Sequence, residues 1–326
     1  MRNRLSLHAV FTCTLLFTGI AVADPLRQSD ALDMLERIAN AARELNYVGT
    51  FVYQHGDHVE TSRIVHFVDA TGEYEKLEAL DGPRREIIRT NDEVLCYYPD
   101  AKVVRSEKRV ARRTFPALLP DQITSLTEFY QIRKGKPERI AGYDSEALVL
   151  VPRDGMRYGH KLWAEASTGL LLKARMLNER NQAVEQFTFT QLTISSGVTR
   201  DMVQPSYRVQ FPEWRLDRFA HLLANVESGW TVGQFPAGFR KILEMRRTKQ
   251  GSSLPVTHLV YSDGLAAISI FIEPLAGRTQ VREGMSRQGA INIYTRALDD
   301  QIVTVLGEAP PVTVMQIGDS VAYQGQ

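Results

Sequence analysis

The sequence HLVYSDGLAAISIFIEP, residues 258–274, predicts a β-hairpin and, with it, the fold of the C-terminal part of the chain. Two apolar runs flank Asp263-Gly264, and Asp-Gly is the strongest short-range hairpin signal because both turn positions favour a positive φ. The second run alternates with period two and is apolar on both faces, so we expect this strand to be covered on both sides. The hairpin contains no nucleophile, base or set of metal ligands, and it is therefore predicted to be a packing element.

The start of the chain has the pattern of an export signal. A short basic stretch precedes an apolar segment that runs to Ile20, and residues 21–23 (Ala-Val-Ala) supply a small-x-small cleavage pattern. A membrane anchor needs about 20 apolar residues, and this segment is shorter and is interrupted by threonines. We therefore predict that residues 1–23 are a signal peptide, that the mature chain begins at Asp24, and that the protein is exported and soluble.

Composition limits the function classes. Without Arg2 and Arg4 the chain carries 37 Lys and Arg residues against 38 Asp and Glu residues. A near-neutral total argues against a general nucleic-acid binder. Cys13 leaves with the signal peptide, so Cys96 is the only cysteine of the predicted mature chain and no intramolecular disulfide can form. Stability must come from hydrophobic cores, and about 300 residues are enough for two of them.

Residues 24–197 predict a large antiparallel β domain. A helix with one apolar stripe covers about residues 32–45, and a series of β-rich runs separated by turn residues follows it. Connections this short join antiparallel neighbours, since parallel strands need crossovers of a dozen residues or more. A sheet of at least eight or nine such strands should curl and leave a concave face that the helix covers only in part.

Regular patterning lapses over residues 198–228, which are predicted to be a linker, and residues 229–326 predict a small α+β domain. The expected elements are a strand near 239–247, the hairpin, a helix at about 289–297, a strand at 301–305 and a final helix at about 311–321. The predicted fold class of the whole chain is therefore α+β, with two domains joined by a linker.

His55, Asp57, His58 and Glu60 form a cluster whose residue types suit a metal or an acid–base site. They straddle a predicted hairpin tip, where polar residues are expected in any case because such tips are solvated. We favour the surface interpretation. The sequence has no G-x-S-x-G elbow, no phosphate-binding glycine loop and no H-E-x-x-H motif. It therefore predicts no catalytic residue, no metal and no cofactor.

A basic run occupies residues 102–113, where six cations accompany one anion, Glu107. One interpretation is a solvated loop or an edge strand that is kept charged against aggregation. The other is an anion site, since arginine forks suit phosphates and a phosphate joined to acyl chains describes a lipid. In this second interpretation, Arg109, Arg112 and Arg113 help to hold lipid phosphates beside the concave sheet.

Two sets of segments carry motifs of one protein family. In the C-terminal part, they are the hairpin and residues 229–232, 238–240, 289–294 and 303–308. In the N-terminal part, they are residues 157–163, 168–173 and 185–191. These segments resemble the RseB/MucB family of periplasmic regulators of the envelope-stress sigma factor. Because the resemblance covers both predicted domains and the exported start, it is more specific than a single motif.

The resemblance implies an N-terminal half-open β-barrel with a covering helix, similar to lipoprotein carriers, and a smaller C-terminal antiparallel β-sheet domain with helices. It implies that the protein binds the periplasmic domain of a transmembrane anti-sigma factor and protects it from regulated proteolysis. Lipopolysaccharide or mislocalised lipoprotein, through its acyl chains, would release the regulator. The alternative function is a periplasmic lipid or lipoprotein carrier or chaperone. A hydrolase ranks third because a nucleophile–base pair is missing. Exposed sheet edges can pair with a second copy of the chain, so a homo-oligomer is a further alternative.

Overall fold

The computed structural model describes residues 27–91, 93–108, 114–120, 123–210, 212–218, 227–248, 255–275 and 281–324. The predicted signal peptide lies outside these ranges. The strands form a 13-stranded sheet, a six-stranded sheet and a two-stranded ribbon. None of the described helices is long and apolar enough to cross a membrane.

The large sheet is almost entirely antiparallel, as the short connections predict. Its strands are β1 (Tyr47–His55), β2 (His58–Asp69), β3 (Gly72–Ala79), β4 (Glu86–Arg89), β5 (Glu93–Tyr98), β6 (Val103–Lys108), β7 (Tyr130–Gly135), β8 (Arg139–Ile140), β9 (Tyr143–Pro152), β10 (Gly159–Glu165), β11 (Leu171–Leu177), β12 (Ala183–Ile194) and β13 (Arg215–Arg218). They lie in the order β13-β6-β5-β4-β3-β2-β1-β12-β11-β10-β9-β7, and β8 pairs with β9. Among the described strands, β13 and β6 form the parallel pair.

One face of this sheet, which we call the inner face, carries the main core. Helix α1 (Gln28–Glu44) buries its predicted apolar stripe there, including Leu35 and Ile38. The chain between β6 and β7, which ends in the short helix α2 (Leu126–Phe129), adds Phe115 and Leu126 to the same core. The ring of Phe115 lies 5.2 Å from the ring of Phe51 on β1. The helix and this segment together cover much of the inner face.

The region predicted as a linker packs in part on the opposite, outer face. A 3₁₀ turn spans Arg200–Val203, and Val203 packs in a small cluster with Val65 of β2. Farther along, Trp214 lies against a second cluster that contains Tyr97 of β5. The segment then ends as strand β13. Apolar residues of the predicted linker therefore add to the large domain, although their spacing shows no regular period.

The small domain holds the remaining strands and helix α3 (Pro311–Asp319). Its strands are β14 (Trp230–Val232), β15 (Arg240–Thr248), β16 (Pro255–Ser262), β17 (Ala267–Pro274), β18 (Gly284–Gln288), β19 (Ile291–Leu298), β20 (Gln301–Gly307) and β21 (Val321–Tyr323). The six-stranded sheet has the order β15-β16-β17-β20-β19-β18, and β14 pairs with β21. Val314 and Ile317 of α3 pack against the buried side of this sheet.

The predicted helix at 289–297 is wrong, because these residues form β19. Ile291, Ile293 and Thr295 are β-branched and alternate along the strand, and such residues favour strands. A tight turn at Asp299, with φ 53°, lets β19 pair with β20 from Leu298↔Gln301 to Asn292↔Gly307. The segment is too short for its apolar spacing to distinguish a helix from a strand, and the pairing with β20 decides in favour of the strand.

The predicted hairpin is β16–β17, but its turn and its cover differ in detail. Ser262 pairs with Ala267, so four residues form the turn. Gly264 has φ 104°, whereas Asp263 does not enter the positive-φ region. On β17, the face with Ile268, Ile270 and Ile272 is buried, while the other face is half-buried around Phe271 and exposed at Ala267. Only one side of this strand is therefore fully covered.

Candidate functional site at the domain junction

The tip of the β16–β17 hairpin docks onto the large domain. Leu265 packs against the core of the inner face. A Cβ atom added at Gly264 would lie 3.1 Å from Cγ of Pro120 and 3.8 Å from Cδ2 of Leu126. The hairpin therefore has two roles: its strands form the centre of the small domain, and its turn forms part of the junction between the domains.

A buried ion pair joins the two domains at this tip. Arg157, in the loop between β9 and β10, donates from Nη1 to Oδ2 of Asp263 at 2.8 Å, and both side chains are 0% exposed. Nη2 donates to the carbonyl oxygen of Ala237, another residue of the small domain, at 2.6 Å. Nε donates to Asp154 of the large domain at 3.1 Å. The guanidinium thus uses all three nitrogens, as a buried charge requires.

Both members of the ion pair are held by further contacts. The Arg157 guanidinium lies over the ring of Phe129 at 4.8 Å and near that of Phe239 at 5.5 Å, one ring from each domain. Oδ1 of Asp263 accepts the backbone N–H groups of Leu265 and Ala266 at 3.0 and 2.8 Å. Burial raises the pKa of the Asp263 carboxyl above its ordinary value, although these N–H groups and Arg157 oppose the shift.

One close backbone approach and two hydrogen bonds complete this part of the junction. Gly238 has φ 91°, and a Cβ there would lie 2.3 Å from Cε2 of Phe129. On the other side, Oγ1 of Thr313 donates to the carbonyl oxygen of Met156 at 2.8 Å. The amide of Asn292 donates to the hydroxyl of Tyr158 at 2.9 Å. The loop that carries Arg157 is therefore bonded to the small domain through three consecutive residues, Met156, Arg157 and Tyr158.

A pair of carboxylates marks a second part of the junction. Glu185 on β12 and Glu308, just after β20, both line a cavity of about 70 Å³ between the domains. The hydroxyl of Tyr53 donates to Oε2 of Glu185 at 3.1 Å. Burial raises the pKa of Glu185 to about 7, and the charge of Glu308 adds to the shift. At neutral pH this carboxyl is thus balanced between its protonated and its ionised form.

Apolar side chains from both domains form most of the remaining cavity wall, to which Arg175 also belongs. They include Leu118, Leu119, Leu162, Met176 and Phe187 of the large domain and Leu265 of the small one. His160 also lines the cavity, and burial lowers its pKa to about 4, so that its ring is neutral at pH 7. The cavity offers an apolar environment next to the carboxyl of Glu185.

The predicted phosphate-binding residues, Arg109, Arg112 and Arg113, lie outside the described residues, and their role stays a prediction. Of the same basic run, Lys102 pairs with Glu213 at 3.0 Å and Arg105 lies over the ring of Tyr98 at 5.0 Å.

At the β1–β2 turn, Nε2 of His58 lies 2.7 Å from Oε1 of Glu60, and both side chains are exposed. Among the described residues, no three His, Cys, Asp or Glu side chains are grouped as metal ligands would be.

The sequence did not reveal the roles of Arg157, Asp263, Glu185 and Glu308. The Asp-Gly turn is recognisable as a hairpin signal, and the segment beginning at Arg157 is a point of resemblance. Nothing in either segment indicates that the two meet, because they lie 106 positions apart in the chain. A buried ion pair between domains has no local sequence pattern.

Comparison with known proteins covers both domains. The model of the MucB/RseB N-terminal domain matches residues 30–207, and that of the C-terminal domain matches residues 224–322. The chain is 33% identical to the sigma factor AlgU regulatory protein MucB of Pseudomonas aeruginosa, over 95% of this chain and 96% of that protein. It is 25% identical to the sigma-E factor regulatory protein RseB of Escherichia coli, over 97% of this chain and 96% of that protein.

Solved structures agree with this result. A structure of the MucA/MucB complex of Pseudomonas aeruginosa matches with a TM-score of 0.73 and 31% identity, covering 91% of this chain and 100% of that one. A structure of MucB in complex with MucA(peri) matches with a TM-score of 0.72 at the same identity and coverage. The resemblance predicted from the sequence is confirmed across both domains, and this chain belongs to the MucB/RseB family.

Proposed function

We propose that this protein is a non-enzymatic regulator in the periplasm that binds the periplasmic domain of a transmembrane anti-sigma factor. The observation that carries the proposal is the match over nearly the whole chain to a sigma factor regulatory protein, together with structures of that relative bound to MucA. Both domains take part in the match, so the proposal concerns the complete two-domain protein. Binding would protect the anti-sigma factor from regulated proteolysis.

A binding experiment tests this proposal. The mature protein is titrated into the purified periplasmic segment of the anti-sigma factor from the same genome, with calorimetry as the readout. We expect a saturable complex with a Kd in the micromolar range or tighter, equivalent to about 8 kcal/mol or more. Limited proteolysis of the segment should slow in the complex. Absence of binding by a protein that shows a cooperative unfolding transition would refute the proposal.

We further propose that lipopolysaccharide or the acyl chains of mislocalised lipoprotein release the regulator. Support comes from the apolar cavity between the inner face and Leu265 of the hairpin tip. An acyl chain that enlarged this cavity would have to move Leu265 away from the large domain. A ligand that favours separated domains lowers the affinity for a partner that requires docked domains, by the coupling free energy between the two sites.

Reciprocity provides the test of this coupling. Lipopolysaccharide should weaken binding of the anti-sigma segment by the same factor by which the segment weakens binding of lipopolysaccharide. Both affinities are measured with the full mature chain, each in the absence and in the presence of the other ligand. Independent binding of the two ligands would contradict the release mechanism while leaving the partner proposal intact.

The predicted phosphate contacts are tested by charge reversal. Replacing Arg109, Arg112 and Arg113 with Glu should weaken lipopolysaccharide binding and reduce its dependence on salt, because fewer cations then face the phosphates. Arg-to-Lys changes serve as the matched variant, since they keep the charge and remove the fork. Unchanged affinity and salt dependence would assign the run to a solvated loop or edge strand.

The alternative function, a carrier or chaperone for lipid or lipoprotein, is favoured by the same apolar cavity. A carrier must hand its ligand to an acceptor, whereas a sensor need only bind it. Transfer of a fluorescent lipid from the protein to acceptor vesicles, faster than spontaneous transfer, would support the carrier. Lipid binding without accelerated transfer would support the regulator.

A further inference from the structure

The outer face of the large sheet carries a row of cations that the proposed function does not use. Arg133 on β7 and Lys161 on β10 both pair with Val149 of β9, from opposite sides. Lys161 in turn pairs with Arg175 on β11, so three cationic side chains follow one line across the sheet. Lys173 stands beside them in the next line, opposite Trp163. We call Arg133, Lys161, Lys173 and Arg175 the basic row.

The charges of the basic row are only partly compensated. Lys173 forms an ion pair with Glu138 at 2.8 Å. Arg133 and Arg175 instead donate to the neutral amides of Gln131 and Gln186. Within the described part of the chain, no carboxylate forms an ion pair with Arg133, Lys161 or Arg175. Like charges directly opposite each other on neighbouring strands destabilise a sheet, so Lys161 and Arg175 carry a cost that packing alone does not explain.

The ring of Trp163 forms the floor of the row. Nζ of Lys161 and Nζ of Lys173 each lie 4.4 Å from the ring, and the guanidinium of Arg175 lies 5.6 Å from it. Trp163 is fully buried beneath these cations. Because all three are attracted to the same ring, they stay close together. Burial lowers the pKa of the Lys161 ammonium; Glu138 opposes the shift, whereas Arg175 and Lys173 reinforce it. An anion bound beside Lys161 would therefore stabilise its charged form.

The exposed Lys136 extends the row at the adjacent sheet edge, and its charge also acts on Lys161. Lys134 lies on the opposite face of β7, because it pairs with Leu148 of the main core, and Arg139 pairs with Asp144 in the β8–β9 ladder. Among the described residues, these five cations are accompanied by the carboxylate of Glu138. From β7 to β11 the row crosses three strand spacings, roughly 14 Å, which is more than one phosphate group can contact. A planar array of phosphates matches this geometry better than a single small anion.

We propose that the basic row docks the protein onto the phosphate-bearing surface of an anionic lipid bilayer. The row lies on the face opposite α1 and the apolar core, and of its members Arg175 also borders the cavity at the domain junction. A bilayer that contacts the outer face therefore leaves the hairpin tip and the Arg157–Asp263 pair free. Such contact would concentrate the protein where a membrane-anchored partner is found. The inference goes beyond the proposed function, because a regulator of this kind can bind its partner without touching the membrane itself.

Vesicle co-sedimentation with the full mature chain tests the inference. We expect binding to phosphatidylcholine vesicles that contain phosphatidylglycerol, weaker binding to phosphatidylcholine alone, and loss of the difference at high salt. The variant Arg133→Gln/Lys161→Gln, which changes no residue of the junction cavity, should bind the anionic vesicles about 25-fold more weakly, from about fivefold for each basic residue near an anionic surface. Arg240→Gln/Arg282→Gln, at exposed positions of the small domain, is the matched control and should bind like the wild type.

Three results would overturn the inference. They are equal binding to neutral and anionic vesicles, equal losses in the two double variants, and binding of soluble inorganic phosphate without binding of vesicles. The last result would mean a site for a small anion. Affinity for the anti-sigma segment, measured on the same variants without vesicles, should not change. Failure of the bilayer inference is thus distinguishable from failure of the proposed function.

Discussion

Two carboxylates of the small domain meet the large domain in opposite ways. Asp263 faces the guanidinium of Arg157 and accepts hydrogen bonds from it and from two backbone N–H groups, whereas Glu308 faces Glu185, a group of its own charge. The first contact favours docked domains whenever both groups are ionised. The second favours them only while Glu185 keeps its proton. One junction therefore combines a fixed attachment with a contact that responds to its surroundings.

The largest effect should come from removing the fixed attachment. Arg157→Ala would leave Asp263 buried without a counter-ion, which costs about 3–5 kcal/mol. Urea denaturation followed by tryptophan fluorescence should report this loss in the free energy of unfolding. Arg27→Ala is the matched control, since its ion pair with Asp30 is exposed (85% and 42%) and contributes about 0–1 kcal/mol. A similarly small loss of unfolding free energy in both variants would show that Arg157 does not hold the two domains together.

Gly238→Ala comes next. It places an L side chain at φ 91° and its Cβ against the Phe129 ring, and the backbone strain alone costs about 1–3 kcal/mol. Gly284→Ala separates the two causes, because Gly284 has φ 107° and no atom within 4 Å of an added Cβ. If Gly238→Ala loses no more stability in denaturant than Gly284→Ala, the contact with Phe129 is not tight.

Glu185→Gln tests the responsive contact through its pH dependence. The pKa of Glu185 is raised from 4.5 to about 7 in the docked protein, so the docked form binds more protons than the open one. The stabilisation is full below pH 4.5 and is lost as pH rises through 7. The titratable and charged groups around it are Tyr53, Glu308, Arg175 and the neutral His160.

We therefore expect the wild type to lose about 1–3 kcal/mol relative to Glu185→Gln between pH 5 and 8. Denaturant midpoints at several pH values measure this difference. Glu179→Gln, at an exposed turn, should follow the wild-type profile. Parallel profiles for wild type and Glu185→Gln would mean that this carboxyl does not titrate at the junction.

The smallest effect is expected from a neutral hydrogen bond. Thr313→Val removes the bond to the Met156 carbonyl from a fully buried position, at a cost of about 1 kcal/mol. Thr231→Val, whose hydroxyl makes a 3.4 Å bond within the small domain, is the control. Chemical denaturation measures the unfolding free energy of both variants, and we expect the larger loss in Thr313→Val. An equal change would show that neutral contacts contribute little to docking.

The sequence predicted the parts of the fold that follow from local periodicity. The apolar stripe of α1, the antiparallel order of the large sheet and the hairpin at Asp263-Gly264 could each be read within a dozen residues. The prediction of a helix at 289–297 is wrong because nine residues of mixed pattern fit both a strand and a helix. Its neighbour β20 decides the outcome, and a partner strand is not visible in a local window.

The site was much less predictable than the fold. Arg157 and Asp263 are unremarkable as single residues, and their meaning arises from burial and from mutual contact. The raised pKa of Glu185 likewise depends on Glu308, which lies in the other domain. The basic row is also non-local, since its members come from three strands. Charge runs along the chain drew attention to residues 102–113 instead, because a sequence shows neighbours in the chain and not neighbours across a sheet.

The separation of 106 positions between Arg157 and Asp263 has a consequence for the order of folding. A contact across so long a loop cannot form until the loop has been closed against its entropy, so the hairpins of each sheet should form first. The ion pair would then belong to the last step of assembly and be absent from the earlier transition state. Its removal should speed the separation of the domains and leave the rate of folding nearly unchanged.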